Sequence, residues 1–218
     1  MFSVHASIRR GEGPAAARAG AIPACTPGSN IRWCIVTTII GVDPSITSTG
    51  LVTWRNGRIF VATVATHPAA VMAQRHHDIA MRILTMAERN RANTLVVMEG
   101  RIKPGDDAVN TALDLAELRG VINHALHVQG IARVDVHPMT LKVFATGNGR
   151  ALKSDMTVAA RNRLGQHLHV TNDDEADAAF LLAMALHHYR LPLCTTTDKQ
   201  AMAAERAPWP PFTLDVAQ

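Results

Sequence analysis

Four acidic residues stand where their carboxylates could act together. Asp43 ends the apolar run Ile39-Ile40-Gly41-Val42-Asp43, and Glu99 ends Leu95-Val96-Val97-Met98-Glu99. Asp174 and Asp177 open a late stretch, Asp173-Asp174-Glu175-Ala176-Asp177-Ala178-Ala179, that reads as a helix. A carboxylate at the end of a strand lies at the sheet edge where open α/β sheets bind their ligands. Two Asp at helical i, i+3 spacing project to one side. Carboxylate oxygens suit Mg²⁺ or Mn²⁺. Two such ions, about 3.5–4 Å apart, clamp the attacking and leaving oxygens of a phosphodiester. The set therefore implies metal-assisted cleavage of nucleic acid. A blander account makes Asp174 a helix N-cap, with Asp177 favouring the helix dipole. It explains that pair but not Asp43 and Glu99, and an uncompensated cluster of acids repels itself. Asp173 and Glu175, on either side of Asp174, suit capping.

The elements that must carry these residues can be read from pattern. Residues 35–42 read as a strand, and 51–55 and 58–63 as two more, joined by Asn56-Gly57, a strong two-residue hairpin signal. Pro68 opens a helix to about residue 90. Residues 94–98 form an uncharged strand, 106–128 a long helix with an apolar stripe, and 131–136 a fifth strand. Pro138 starts a short helix that Thr146-Gly147-Asn148-Gly149 breaks; helices follow over 153–164 and 174–189. The expected fold class is thus α/β, with a five-stranded mixed sheet, three antiparallel strands then two parallel, flanked by helices.

Length and composition bound the rest. The 218 residues suit one domain with tails, and with 4% aromatics the core must be aliphatic. A net charge of +4 is compatible with a polyanionic partner. Residues 1–34 are rich in Ala, Gly and Pro, hold several Arg and one acid, and show no hydrophobic period, so a disordered leader is expected. That composition also suits an organelle import signal. Residues 35–190 form the expected domain, and 191–218 a loose Pro-rich tail. Cys25, Cys34 and Cys194 match no zinc spacing, and an odd count argues against a disulfide framework. Reduced thiols in a cytoplasmic compartment are expected. No apolar run approaches a membrane span. The pairs His76-His77 and His187-His188 diverge on a helix and chelate poorly; His137, at a strand end, could approach the acids.

The chain resembles the RuvC-type Holliday-junction resolvases over roughly residues 37–190. The resemblance rests on the turn Gly41-Val42-Asp43-Pro44-Ser45-Ile46-Thr47-Ser48-Thr49-Gly50, on Glu99, on Gly147-Asn148-Gly149 followed by Lys153-Ser154, and on Asp174 with Asp177. It implies a ribonuclease-H-like fold and a homodimer that nicks opposite strands of a four-way DNA junction in recombination and repair. Asp43, Glu99, Asp174 and Asp177 would hold Mg²⁺, with Mn²⁺ as a substitute and two ions per site. Lys153 would lie by the scissile phosphate. Lys142, Gly147, Asn148 and Gly149 would contact DNA, as would Arg101, Ile102 and Lys103. Ile102 stands where bacterial relatives often carry an aromatic wedge, and an aliphatic side chain can unstack bases but not stack on them. That points towards looser branch selectivity, extending to flaps and forks. The Asp43-to-Gly50 turn also resembles actin-like and sugar-kinase ATPases, but residues 140–190 offer no second phosphate loop. A branched-DNA binder without catalysis would gain nothing from acids facing phosphates.

Overall fold

The computed structural model describes residues 5–11, 34–87, 91–100 and 109–214. Strands β3 (Thr38–Asp43), β4 (Ser48–Arg55) and β5 (Arg58–Ala65) form an antiparallel meander. Asn56 and Gly57 turn between the last two with φ of 47° and 77°, the paired left-handed conformation of a type I′ hairpin. Helix α1 (Met72–Ala87) crosses over to β6 (Thr94–Glu99), which pairs parallel with β3. Helix α2 (Val109–Val128) leads to β7 (Ala132–Val136), parallel with β6. Helices α3 (Pro138–Thr146), α4 (Lys153–Leu164) and α5 (Asp173–His188) follow. The five strands have the expected order, three antiparallel then two parallel.

The period of two along each strand splits the core into two layers. Ile40, Val42, Leu51, Ala62, Val64, Val96 and Met98 meet Ile79, Ile83, Leu118 and Ile122 of α1 and α2. Ile39, Trp54, Ile59, Val61, Leu95 and Val97 meet α5, with α3 and α4 completing that side. Helix α5 is buried from Ala178 through Leu186. Five of its residues are alanines, at 176, 178, 179, 183 and 185, so its backbone can lie close to the sheet.

Two glycines set how close. A Cβ on Gly41 would stand 2.1 Å from the Ala178 carbonyl oxygen. A Cβ on Gly50 would stand 2.1 Å from the Asp174 carbonyl oxygen. Only glycine permits such an approach.

The structure departs from expectation at both ends of the chain. Residues 5–11, expected within a disordered leader, form strand β1 (His5–Gly11), antiparallel to β5. The main sheet therefore has six strands, ordered β1-β5-β4-β3-β6-β7. The strand expected over 35–42 is two. β2 (Cys34–Val36) ends where Thr37 N–H donates to Asn93 O at 2.9 Å. β2 pairs parallel with β8 (Phe212–Leu214) in a separate two-stranded sheet. The tail is correspondingly not loose over 191–214. It contains α6 (Asp198–Ala204), packed mainly on α3, and it buries Leu193, Ala203 and Ala204 in the core. Its proline-rich sequence hid this because the contacts have no helical or strand period. Among the described residues no helix is long and apolar enough to cross a membrane.

Candidate active site

The parallel register of β3 and β6 sets Val42 beside Met98, so Asp43 and Glu99 emerge next to each other at the sheet edge. Gly50, paired with Asp43, touches the Asp174 backbone. The close approach of α5 thus brings Asp174 and Asp177 to the same edge. All four acids affect one another or their shared neighbours electrostatically. Burial above all, then the charges of Glu99, Asp177 and Asp174, hold the Asp43 carboxyl well above the usual range. Burial also raises Glu99, against the pull of Arg119 and of a hydrogen bond with Asp43. Asp174 is raised by burial, partly offset by a hydrogen bond from Ser48. Asp177 is pushed up to about 7, by burial and then by the Glu99 charge.

Burial and mutual repulsion of this kind favour either protonation or a bound cation. Every donor is a carboxylate oxygen, the preferred ligand of hard divalent ions. Asp177 Oδ1 is buried without a hydrogen-bond partner, which is costly unless something else binds it. Among the described residues no three Asp, Glu, His or Cys side chains close around a common point. Glu99 is hydrogen-bonded to Asp43 and Asp174 to Ser48.

The N-cap of α5 is Asn172, not Asp174: its side chain accepts from Glu175 N–H at 2.8 Å. Asp174 is therefore free of that duty. Glu175, 1% exposed, is a fastener. Its Oε1 accepts from Thr63 Oγ1 at 2.7 Å, and its Oε2 from Thr171 N–H at 2.7 Å and Thr171 Oγ1 at 2.9 Å. It ties the start of α5 to β5.

Lys153 begins α4, and its Nζ lies 2.6 Å from Asp173 Oδ2. That hydrogen bond raises the lysine and lowers Asp173 below the usual carboxylate range. The Lys153 charge reaches Asp43, Glu99, Asp174 and Asp177, and that of Lys142 reaches Glu99 and Asp177. Between these two lysines runs the Gly147-Asn148-Gly149 loop. Gly147 ends α3 in the left-handed region, φ 80°, and its N–H donates to Val143 O at 2.8 Å. Asn148 is exposed and its Oδ1 accepts from Arg150 N–H at 3.0 Å. Arg101, Ile102 and Lys103 lie outside the described residues.

The histidines serve elsewhere. His137 caps α3, its Nδ1 accepting from Met139 N–H at 3.2 Å. His76 is buried in α1, His187 packs its ring edge on Phe144, and His188 bonds Glu205.

Several supporting residues escaped the sequence reading. Buried Arg75 donates to Thr66 Oγ1 at 2.8 Å and to Ile46 O at 3.1 Å, tying α1 to the turn after Asp43. Within that turn Thr49 Oγ1 donates to Ser45 O at 2.6 Å. Buried Arg119 reaches from α2 to Asp135 at 3.5 Å and lies close enough to favour the Glu99 anion. No sequence signal separates a buried arginine from a surface one. A glycine inside a strand does signal close backbone approach, and Gly41 and Gly50 carried that signal.

The family model for crossover junction endodeoxyribonuclease RuvC matches residues 39–188. A protein of that name from Mycolicibacterium vanbaalenii is 31% identical over 180 residues, 77% of this chain and 88% of its own. One from Carboxydothermus hydrogenoformans is 28% identical over 144 residues, 64% of this chain and 89% of its own. Among solved structures, Thermus thermophilus RuvC in complex with Holliday junction substrate superposes with a TM-score of 0.56 at 22% identity, covering 74% of this chain and 99% of that one. At that identity the superposition speaks for the fold. With the family model covering well over half the chain, the protein belongs to the RuvC family.

Proposed function

We propose that this chain is a metal-dependent crossover junction endodeoxyribonuclease that resolves four-way junctions by paired nicks. The observation that carries the reading is the convergence of Asp43, Glu99, Asp174 and Asp177 at one sheet edge, with Lys153 beside them, in a member of this family. The four carboxylates would hold Mg²⁺, two ions per site, with Mn²⁺ able to replace it. Bound there, divalent cations supply Lewis-acid charge that activates the attacking water and neutralises the leaving oxygen. The chain's own groups do the rest. Lys153 leaves Asp173 for the scissile phosphate and offsets charge that grows in the transition state. Lys142 holds the flanking backbone. The Gly147-Asn148-Gly149 loop offers main-chain N–H groups where side chains would block approach.

Two copies are needed to nick both strands. Leu113, Val121 and Val128 are exposed at helical spacing on α2, and such an apolar stripe suits a second copy. The reading places the protein with DNA in the cytoplasm. A sugar-kinase-like role would need a second lobe, for which the described residues provide no counterpart. Ile102 supports a looser variant of the main reading, in which flaps and forks are also cut.

The test is cleavage of end-labelled four-way, flap, fork and linear duplex DNA with Mg²⁺, Mn²⁺ or EDTA. Symmetric nicks in the four-way junction, abolished by EDTA, are expected. Equal cutting of linear duplex, or none of any branch with either metal, would refute it.

A further inference from the structure

Beyond the family match, which ends at residue 188, the C-terminal segment reaches back to the loop between the two lysines. The end of α3 is where this happens. A helix leaves its last carbonyls without partners. Gly147 satisfies only Val143 O. The next carbonyls are taken by side chains from elsewhere. Phe144 O accepts from Arg163 Nη1 at 2.7 Å and from Gln200 Nε2 at 3.0 Å. Ala145 O accepts from Arg163 Nη1 at 2.6 Å. Gly147 O accepts from Lys199 Nζ at 2.7 Å.

Arg163 belongs to α4, and its other nitrogen donates to Thr195 O at 2.8 Å and Cys194 Sγ at 3.3 Å. Its guanidinium also lies 5.7 Å from the ring centres of Phe144 and Phe180. It therefore links α3, α4, α5 and the C-terminal segment in one contact. The segment itself is fixed. Tyr189 OH donates to Pro210 O at 2.9 Å, Trp209 Nε1 donates to Ala204 O at 2.7 Å, and Trp209 stacks on His188 at 5.2 Å.

Two of the donors are cationic, and charged donors at a helix C-terminus make the stronger bonds and suit its dipole. Within the loop Asn148 N–H donates to Thr146 Oγ1 at 3.1 Å and Asn148 O accepts from Ala151 N–H at 3.2 Å, while Gly147 O is held from outside by Lys199. Lys153 follows four residues after Gly149.

We propose that the segment 191–214 is a brace that positions the glycine loop for cleavage, with Lys199 and Gln200 as its positioning residues and Arg163 as the link. The role in cleavage rests on the nuclease reading of the site; the bracing itself does not.

The test combines Lys199→Met, the double variant with Gln200→Met, and the conservative Lys199→Arg. Two readouts are taken on the full chain. Amide hydrogen exchange of the peptide spanning residues 146–152 should be about tenfold faster in the double variant. Its single-turnover rate on a four-way junction should fall about tenfold, with junction affinity within twofold of wild type. Lys199→Arg should cut at the wild-type rate. Lys199 is exposed, so Lys199→Met alone folds and gives a smaller shift of the same kind. Unchanged exchange and rate would overturn the proposal. So would a loss confined to affinity, with the salt dependence reduced by about one counterion equivalent, because Lys199 would then be a phosphate contact. If the wild type cuts no branched DNA, the nuclease reading falls and the exchange data alone decide for or against the brace.

Discussion

Gly50→Ala tests whether backbone contact sets the spacing of the acids. An alanine Cβ at this position would stand 2.1 Å from the Asp174 carbonyl oxygen and 2.4 Å from the carbonyl carbon. Ordinary contact starts at 3.4 Å, so β4 and the first turn of α5 must part by about 1.3 Å, the difference between those distances. Neither side can yield by rotating a side chain, because both are main chain. The displaced turn carries Asp174 and, one turn on, Asp177, while Asp43 stays on β3. Misplacing a reacting group by about 1 Å costs on the order of 10²-fold in rate. Overpacking a core contact costs about 1–3 kcal/mol, roughly 2–12 °C in a chain of this size. The expected outcome is single-turnover cleavage of a four-way junction slowed on the order of 10²-fold, in a protein that melts a few degrees early. Gly57→Ala supplies the comparison. Gly57 has φ of 77° but nothing within 4 Å of its would-be Cβ, so alanine there costs about 1–2 kcal/mol of backbone strain at a hairpin tip far from the acids. It should melt early and cut normally. A folded Gly50→Ala variant that cuts within twofold of wild type, or equal slowing in both variants, would refute the reasoning.

Asp43→Asn, Glu99→Gln and Asp177→Asn should each abolish cleavage while junction binding stays intact or tightens, since each loses a ligand and a negative charge near phosphate; cleavage gels beside binding titrations check this. Lys153→Ala should slow the chemical step more than it weakens binding, whereas Lys142→Ala should weaken binding and lower its salt slope by about one. Asp173→Asn should tighten junction binding by about two- to fivefold, because the exposed ion pair that competes for Lys153 is worth only a few tenths to 1 kcal/mol; unchanged affinity would mean that Lys153 is not released on binding. Metal-free stability should fall as pH rises. Asp177 titrates near 7 in the folded chain against an ordinary 3.8, and Asp43, Glu99 and Asp174 are displaced the same way. Between those values the native state holds more protons than the unfolded chain, so its advantage is present at the acid end and lost through pH 7. Melting curves in EDTA should drop from pH 5 to 7.5, and a divalent cation should restore most at the upper end, where protons no longer compete. A flat profile in EDTA would count against a buried, self-repelling cluster.

Much of the scaffold was legible because its signals are local. The Asn56-Gly57 turn, the uncharged run ending at Glu99 and the helix 153–164 were each read within their own residues. What was missed depends on distant partners. Thr37 breaks the first strand because β2 turns to pair with β8, far along the chain. The docking of α6 escaped notice because Lys199 and Gln200, polar by type, contact α3 through its carbonyls. In Asn172-Asp173-Asp174 any residue could have capped α5, and only the structure selects Asn172. The acids themselves were visible as types at strand and helix ends. Their burial was not, since it depends on how near α5 comes.

Strand β1 bears on how the molecule behaves at high concentration. It covers β5 along its length, from His5 against Ala65 to Gly11 against Ile59. Without it, β5 would be the outer strand of the sheet, eight residues long, with a full row of unpaired main-chain groups. Long, flat, uncovered edges rich in β-branched residues recruit strands from other molecules. A chain shortened past residue 11 keeps every acid and lysine discussed above, yet it exposes an adhesive seam of Arg58-Ile59-Phe60-Val61-Ala62-Thr63-Val64-Ala65. The pairing of residues 5–11 with β5 therefore covers an edge to which another chain could otherwise add a strand.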